Sequence, residues 1–295
     1  MKTYFILGIS LLLTLIPLAG CGHSEAPHNN TPSGVQSDDD QSSTSKNNTD
    51  SHGDHSKSSS SEQSDKTSPN HTPSATQSSN NQAPTTTKEV INQVNAALST
   101  QTPVFLPTHV PISKGNSLTA AAHSETWYYR VNFLKADQPS AINTLKPTGD
   151  NTIATVTGTE YDSAANAQSH IENYTKVKET NVDLGHGIKG ESDAGAGHFY
   201  VMWNEGRWCL RIDSPNDPNY QMKQYSDAKG LAKDVVSYLE DHMLNPPKDI
   251  GVISISTWNN APKTTIQWQN HKVNYEVTAS DPFTALNVAV SMKAQ

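Results

Sequence analysis

Cysteine is nearly missing from this chain of 295 residues, which has only Cys21 and Cys209. If Cys21 is committed to another bond, no internal disulfide can form, and an apolar core must hold the fold. Long hydrophobic runs are missing too. The most apolar stretch, residues 4–18, is interrupted by Gly8, Ser10, Thr14 and Pro17, and falls short of the roughly 20 residues a bilayer core requires. Positive charge is in deficit: 21 Lys and Arg stand against 29 Asp and Glu, a formal net charge of −8. That balance argues against nucleic acid or an anionic bilayer surface as the main partner. Residues 22–88 contain no aromatic side chain and no Leu, Ile or Met; Val35 is their one large apolar residue. Such a stretch cannot bury enough apolar surface to offset its chain entropy.

The first residues do carry a pattern. Lys2 precedes the short apolar run, and the small residues Ala19 and Gly20 follow it, as in an export signal. Leu18-Ala19-Gly20-Cys21 resembles the lipobox of bacterial lipoproteins. In that class the cysteine thiol receives a diacylglyceryl group, and cleavage leaves it as residue one. The resemblance implies a signal peptide over residues 1–20, recognition through Leu18, Ala19 and Gly20, and lipidation of Cys21. The mature chain would then be anchored on the extracytoplasmic face of a membrane. Each buried methylene contributes about 0.8 kcal/mol, so two or three acyl chains hold firmly where one holds marginally. Removing Lys2 with the signal makes the mature chain one charge more negative than −8.

Residues 21–88 read as a disordered Ser/Thr/Asn/His-rich tether, spanning about 45 Å root-mean-square as a flexible coil. Five of the twelve histidines lie in it: His23, His28, His52, His55 and His71. His52-Gly53-Asp54-His55 offers two imidazoles and a carboxylate to Zn²⁺ or Cu²⁺. A tight site usually needs three or four fixed ligands, so a polar linker is the plainer reading and metal capture the alternative.

Residues 89–295 invert the composition, with all five Trp, nine of ten Tyr and four of five Phe. Val90, Ile91, Val94 and Leu98 have helical spacing, and Leu106-Pro107 to Pro111 is extended. Period-two alternation marks strands at Trp127, Tyr129, Val131 and Phe133, at Trp208, Leu210 and Ile212, and at Val273, Tyr275 and Val277. One apolar and one polar face predicts an antiparallel sheet covered on one side. A helix is expected over residues 162–176. Another is capped by Ser226, with Leu231, Val235, Tyr238 or Leu239, and His242 facing inward. A last one opens at Asp281-Pro282, with Phe283, Leu286 and Val290 inward. The stretch from Trp203 to Ile212 aligns with that from Trp268 to Val277, each a strand, a short polar turn and a strand. Together these predict an α+β fold, an antiparallel sheet with helices on one face, built from two related ββα units.

The folded part also resembles an uncharacterised extracytoplasmic domain of Gram-positive bacterial lipoproteins, found as well in some anti-sigma factors. The residues that carry the resemblance are Leu106-Pro107 with Pro111, Tyr129 and Val131, Gly187-Ile188 with Gly190, Trp203 with Gly206 and Trp208, Pro247 with Gly251, and Trp268 with Tyr275 and Val277. It implies an α+β domain with a binding or sensing role and transfers no catalytic residue.

Reactive motifs are sparse. Gly185-His186-Gly187-Ile188-Lys189-Gly190 fits Gly-x-Gly-x-x-Gly, but residues 191–197 lack the apolar period of the helix that a dinucleotide site requires. It reads as a glycine-rich turn. His186 and His198 have no metal-ligand spacing, and His242 reads as a core residue. Cys209 alternates with apolar positions and reads as a structural thiol. Glu205 and Asp213 are the nearest thing to paired carboxylates. No Gly-x-Ser-x-Gly, His-Glu-x-x-His or Walker loop is present. The expectation is a module without enzymatic activity and without a cofactor, partnered by an envelope protein or a small ligand. An envelope hydrolase is the alternative. Of the tryptophans, Trp203, Trp208 and Trp268 fall at inward positions, while Trp258, beside Asn259-Asn260, reads as a loop-tip aromatic able to stack on a sugar ring or anchor a partner.

Overall fold

A computed structural model describes residues 82–295. Leu18, Ala19, Gly20, Cys21 and the tether histidines lie outside those residues. The first helix, α1 (Thr87–Ala97), starts just ahead of the boundary drawn from composition at Glu89. Its capping box explains why. The Thr86 hydroxyl accepts from the Glu89 N–H at 3.2 Å, and the Glu89 carboxylate accepts from the Thr86 N–H at 3.0 Å, satisfying two otherwise orphaned donors. Val90, Ile91 and Val94 are its buried face.

After the short β1 (Phe105–Pro107) come three long strands, β2 (Ser117–Glu125), β3 (Tyr128–Ala136) and β4 (Thr152–Glu160). Helix α2 (Ala164–Ser169) leads to β5 (Val182–Gly185), β6 (Ile188–Gly195), β7 (His198–Glu205) and β8 (Trp208–Pro215). Then follow α3 (Ala228–Asp241), β9 (Gly251–Ser256), β10 (Lys263–Asn270), β11 (Val273–Ala279), α4 (Pro282–Val290) and β12 (Met292–Ala294). Ten strands form one sheet in the order β2-β3-β4-β11-β10-β9-β8-β7-β6-β5, and β1 pairs separately with β12. The fold is α+β. Every neighbouring pair is antiparallel except β8 and β9, which run parallel because α3 carries the chain back over the sheet between them. Among the described residues no helix is long and apolar enough to cross a membrane.

The two hairpins aligned by sequence have matching geometry. Glu205 pairs with Trp208 around the turn Gly206-Arg207, and Asn270 pairs with Val273 around His271-Lys272. Each turn begins with a positive φ, +58° at Gly206 and +57° at His271. Glycine adopts this freely; His271 is held there by its N–H bond to Asp249 Oδ2 at 2.7 Å. Trp203 then stands opposite Leu210 as Trp268 stands opposite Tyr275. A helix follows each hairpin, α3 or α4, and both join the same core with α1.

That core is organised by one row of side chains running across the sheet. In register order it reads Glu205, Trp208, Gly251, Trp268, Tyr275, Gly158 and Tyr129. Trp208 and Trp268 lie 6.4 Å apart between ring centroids, and Trp268 stacks on Tyr275 at 5.3 Å. The glycines make room. A Cβ on Gly251 would lie 2.4 Å from the Trp208 ring, and one on Gly158 would lie 2.3 Å from the Tyr129 ring. The buried phenols are satisfied: Tyr129 donates to the Phe105 carbonyl at 3.0 Å, and Tyr275 to the Pro103 carbonyl at 3.0 Å.

Several expectations need correction. The helix expected over 162–176 ends at Ser169, capped by Ser163. The chain must next travel from the β10–β11 region, where Gln269 and Asn274 bond the Ala164 and Ala167 carbonyls, to β6, where Asn181 bonds Ser192. Five inter-strand steps are about 24 Å, and residues 170–181 in a helix would cover only about 18 Å. Instead the chain turns over residues 170–173, and residues 174–181 cross as a strap without regular secondary structure. The strap and α2 lie on the face opposite α1, α3 and α4, so the helices are not all on one side. Asp227, not Ser226, caps α3, its carboxylate accepting from the Lys229 N–H at 3.0 Å. Trp127 sits in the β2–β3 turn, 51% exposed, rather than at an inward strand position. Residues 191–195, which lack apolar period, are strand, held by antiparallel pairing with β7 from Glu191 opposite Met202 to Gly195 opposite His198.

Gly158→Ala and Gly251→Ala are each expected to lower stability by about 1–3 kcal/mol, the usual range for overpacking. That corresponds to a few degrees or more in Tm for a domain of this size. Gly195→Ala, which meets nothing within 4 Å, is expected to leave Tm nearly unchanged. Thermal unfolding followed by circular dichroism measures all three.

Candidate functional site

Alternation along β7 and β8 sends Val201, Trp203, Leu210 and Ile212 into the core, and sends His198, Tyr200 and Asp213 to the strap-side face. Tyr200 stands opposite Asp213 in register. Beyond β9 the same alternation brings Trp258 to this face. The segment 216–222 pins it there. Met222 N–H donates to the Thr257 carbonyl at 2.8 Å, Asn259 N–H to the Tyr220 carbonyl at 2.8 Å, and the Asn259 amide to the Asn219 carbonyl at 2.7 Å. Trp258 is therefore a half-buried, fixed aromatic rather than a free loop tip.

These elements assemble a shelf. His198 Nδ1 and Asp213 Oδ1 are 2.7 Å apart, with side chains 32% and 29% exposed. Trp258 Nε1 donates to the same oxygen at 3.4 Å. The His198 ring stacks on Tyr200, 5.4 Å between centroids and 8° between planes, and lies 5.0 Å from Trp258. Tyr220, half exposed, lies 6.2 Å beyond. The carboxylate fixes the orientation of the imidazole and leaves Nε2 and Asp213 Oδ2 free for a bound group among the described residues. The flat rings offer stacking area beside those polar atoms. As chemistry, the pair is the orienting half of a triad; among the described residues no hydroxyl or thiol bonds Nε2.

The other residues singled out by sequence are dispersed. Gly185, His186 and Gly187, with φ of +87°, +51° and +79°, form the β5–β6 turn. Strand β6 follows where a dinucleotide site would place a helix. Gly190 serves packing, since a Cβ there would lie 2.8 Å from the Met202 carbonyl. His186 is at the opposite end of β6 from His198, so these two do not meet. Cys209 is buried with Ile171 and Val252 under the strap, and burial pushes its thiol up. His242 is not in the core: α3 ends at Asp241, so residue 242 leaves the helical path, exposed, and stacks on Tyr238 at 4.4 Å. Trp203, Trp208 and Trp268 are buried. Among the described residues no group of three or more His, Cys, Asp or Glu is placed to hold a metal ion.

Glu205 and Asp213, paired in sequence reasoning, face opposite sides of the sheet. Glu205 belongs to the helix-covered face, where its Oε1 accepts from Trp203 Nε1 at 2.7 Å. Burial holds its carboxyl above the ordinary range, with the nearby Glu240 charge adding to the rise. Tyr200 and Tyr220 were missed by sequence reasoning. Counting pairs outward from the turn at Gly206-Arg207 would have placed Tyr200 beside Asp213; nothing local marked Tyr220. Compared with protein-family models, curated proteins and solved structures, the chain has no match.

A carboxyl whose folded pKa is raised favours folding while it is protonated, and that contribution is lost as pH rises past its ordinary value of 4.5. Wild-type stability is therefore expected to fall relative to that of Glu205→Gln as pH rises from about 4.5 toward neutrality. Parallel denaturant titrations across that range check it; coincident pH profiles would show that Glu205 titrates normally.

Proposed function

We propose that this chain is a lipid-anchored extracytoplasmic lipoprotein whose folded domain is a binding or sensing module, and that the shelf of His198, Tyr200, Asp213 and Trp258 takes its ligand. The observation that carries the reading is the side-by-side placement of fixed aromatic faces and a hydrogen-bonded His–Asp pair on a solvent-facing sheet surface. A hydroxylated ring such as a sugar unit presents an apolar face and an equatorial rim of hydroxyls. Trp258 and Tyr200 suit the face; Nε2 of His198 and Oδ2 of Asp213 suit the hydroxyls. Ligand sites combine apolar contact with a few placed polar groups in this way. The lipobox-like Leu18-Ala19-Gly20-Cys21 and the polar composition of residues 22–88 support a tethered placement outside the membrane.

A hydrolase is the second reading, favoured only by the His198–Asp213 bond. It needs a nucleophile brought by the ligand or by solvent. Metal capture by His52 and His55 rests on residues outside those described.

Binding of neutral oligosaccharides to the full chain, followed by tryptophan fluorescence, tests the leading reading. Trp258→Ala is expected to weaken binding about ten-fold, the equivalent of 1.4 kcal/mol, with Tm preserved. Equal binding by the variant would overturn the assignment of the shelf. Separately, Cys21→Ala is expected to abolish incorporation of labelled palmitate and to release the chain from the membrane fraction. Retention of both label and membrane association would refute the anchor.

A further inference from the structure

The opposite face of the same hairpin carries a second feature that the shelf does not use. At the Trp208 end of β8, where α3 ends, a cavity of about 220 Å³ opens between sheet and helix. Trp208 and Leu210 line it from β8, and Leu239, Met243 and Leu244 from α3 and the segment after it. Two carboxylates complete the lining, Glu205 from β7 and Glu240 from α3. No Lys, Arg or His forms an ion pair with either of them among the described residues. Glu205 has one donor, Trp203 Nε1. Arg207, in the adjoining turn, commits its Nε to the Pro247 carbonyl at 2.6 Å. The Nε1 of Trp208 is buried and has no partner. Met243 is 82% exposed at the rim.

We propose that this cavity is a binding site for a small organic cation, an ammonium group carried on an apolar body. Charge complementarity selects that occupant. A neutral apolar guest would strip water from Glu205 and leave its charge unpaired, which is costly. An anionic guest would add a third negative charge. An ammonium group beside Glu205 and Glu240 offsets both carboxylates, while the Trp208 face adds cation–π attraction and the leucines take the hydrocarbon. Size agrees as well. A cavity of about 150 Å³ accommodates benzene, so this one has room for a six-membered ring with a short aminoalkyl arm. Methionine, unbranched and polarizable, suits a rim that adapts to the guest.

The test uses the full chain with three probes of one shape: phenethylammonium, phenethyl alcohol and 3-phenylpropionate. Isothermal titration at pH 7 is expected to show the ammonium binding at least ten-fold more tightly than the alcohol, and the carboxylate not binding. Glu205→Gln is expected to collapse that preference to within two- or three-fold. Glu240→Gln, an exposed helix position that tolerates substitution, is expected to reduce it in part, and serves should Glu205→Gln misfold. Trp258→Ala, on the other face, is expected to leave it unchanged, which keeps this site separate from the shelf. The proposal is overturned if the ammonium does not bind, if the alcohol binds as tightly, or if the preference survives both glutamine substitutions.

Discussion

The interleaving of large rings with glycines across the sheet is the constraint on which the other features rest. Trp208, Trp268, Tyr275 and Tyr129 all project from one register row, and six strands, β8 through β3 in sheet order, carry that row from the first of them to the last. Four rings cannot stand side by side at a strand spacing of about 4.8 Å unless some positions between them are empty. Gly251 and Gly158 are those positions. Trp208 leans into the space over Gly251, and Tyr129 into the space over Gly158. Gly251 matters doubly because β9 joins the two hairpin units through the single parallel pairing. The two tyrosines of the row also act on the chain outside the sheet, since the Tyr129 and Tyr275 hydroxyls hold Phe105 and Pro103 and so position β1 against β12.

Register is the second consequence. Successive side chains of a strand point to opposite faces, so one hairpin supplies both candidate sites. Its core-facing residues give Glu205, Trp208 and Leu210 to the cavity, and its strap-facing residues give His198, Tyr200 and Asp213 to the shelf. A slip of one residue would exchange the two sets, burying the His–Asp pair and exposing Trp203. What prevents the slip is the two-residue turn at Gly206-Arg207 together with the fit of Trp208 over Gly251. Binding chemistry and core packing are thus fixed by the same contacts.

How much of this could be read in the sequence depended on the distance over which each feature is determined. The α+β class, the apolar faces of β8 and β11, the Asp281 cap with Pro282, and the inward positions of Trp203, Trp208 and Trp268 follow from periods of a few residues and were legible. The length of α2 was not, because Ala164, Ala167, Ile171 and Tyr174 keep helical spacing while the path to β6 demands an extended chain. His242 kept the spacing of α3 but lay one residue past its end. The meeting of His198, Asp213 and Trp258 joins two strands and the loop that follows a third, and only the order β7-β8-β9 brings them together. That order follows from the crossover through α3, for which periodicity carries no sign.

The strap decides where on its face the shelf can be. Residues 170–181 cross the sheet over the Trp208 end of the strands. Asn173 takes the weak bond from Cys209 at 3.8 Å, and Asn204 exchanges bonds with Thr175 and Val177 at 2.9 and 2.8 Å. Cys209 and Val252 are buried there for that reason, and that end of the face is closed to ligands. Toward the other end of β7 and β8, among the described residues, the segment 216–222 packs beside Trp258 without burying the rings. The rings of Tyr200, His198 and Trp258 remain partly open to solvent, although apolar groups of that size would favour cover. Their polar edges are what make exposure tolerable: the imidazole and the indole N–H share one carboxylate oxygen. The same bonds keep the rings from turning away into looser packing. A face closed at one end and held open by paired polar groups at the other leaves a rigid surface, and a rigid surface loses little entropy when something binds to it.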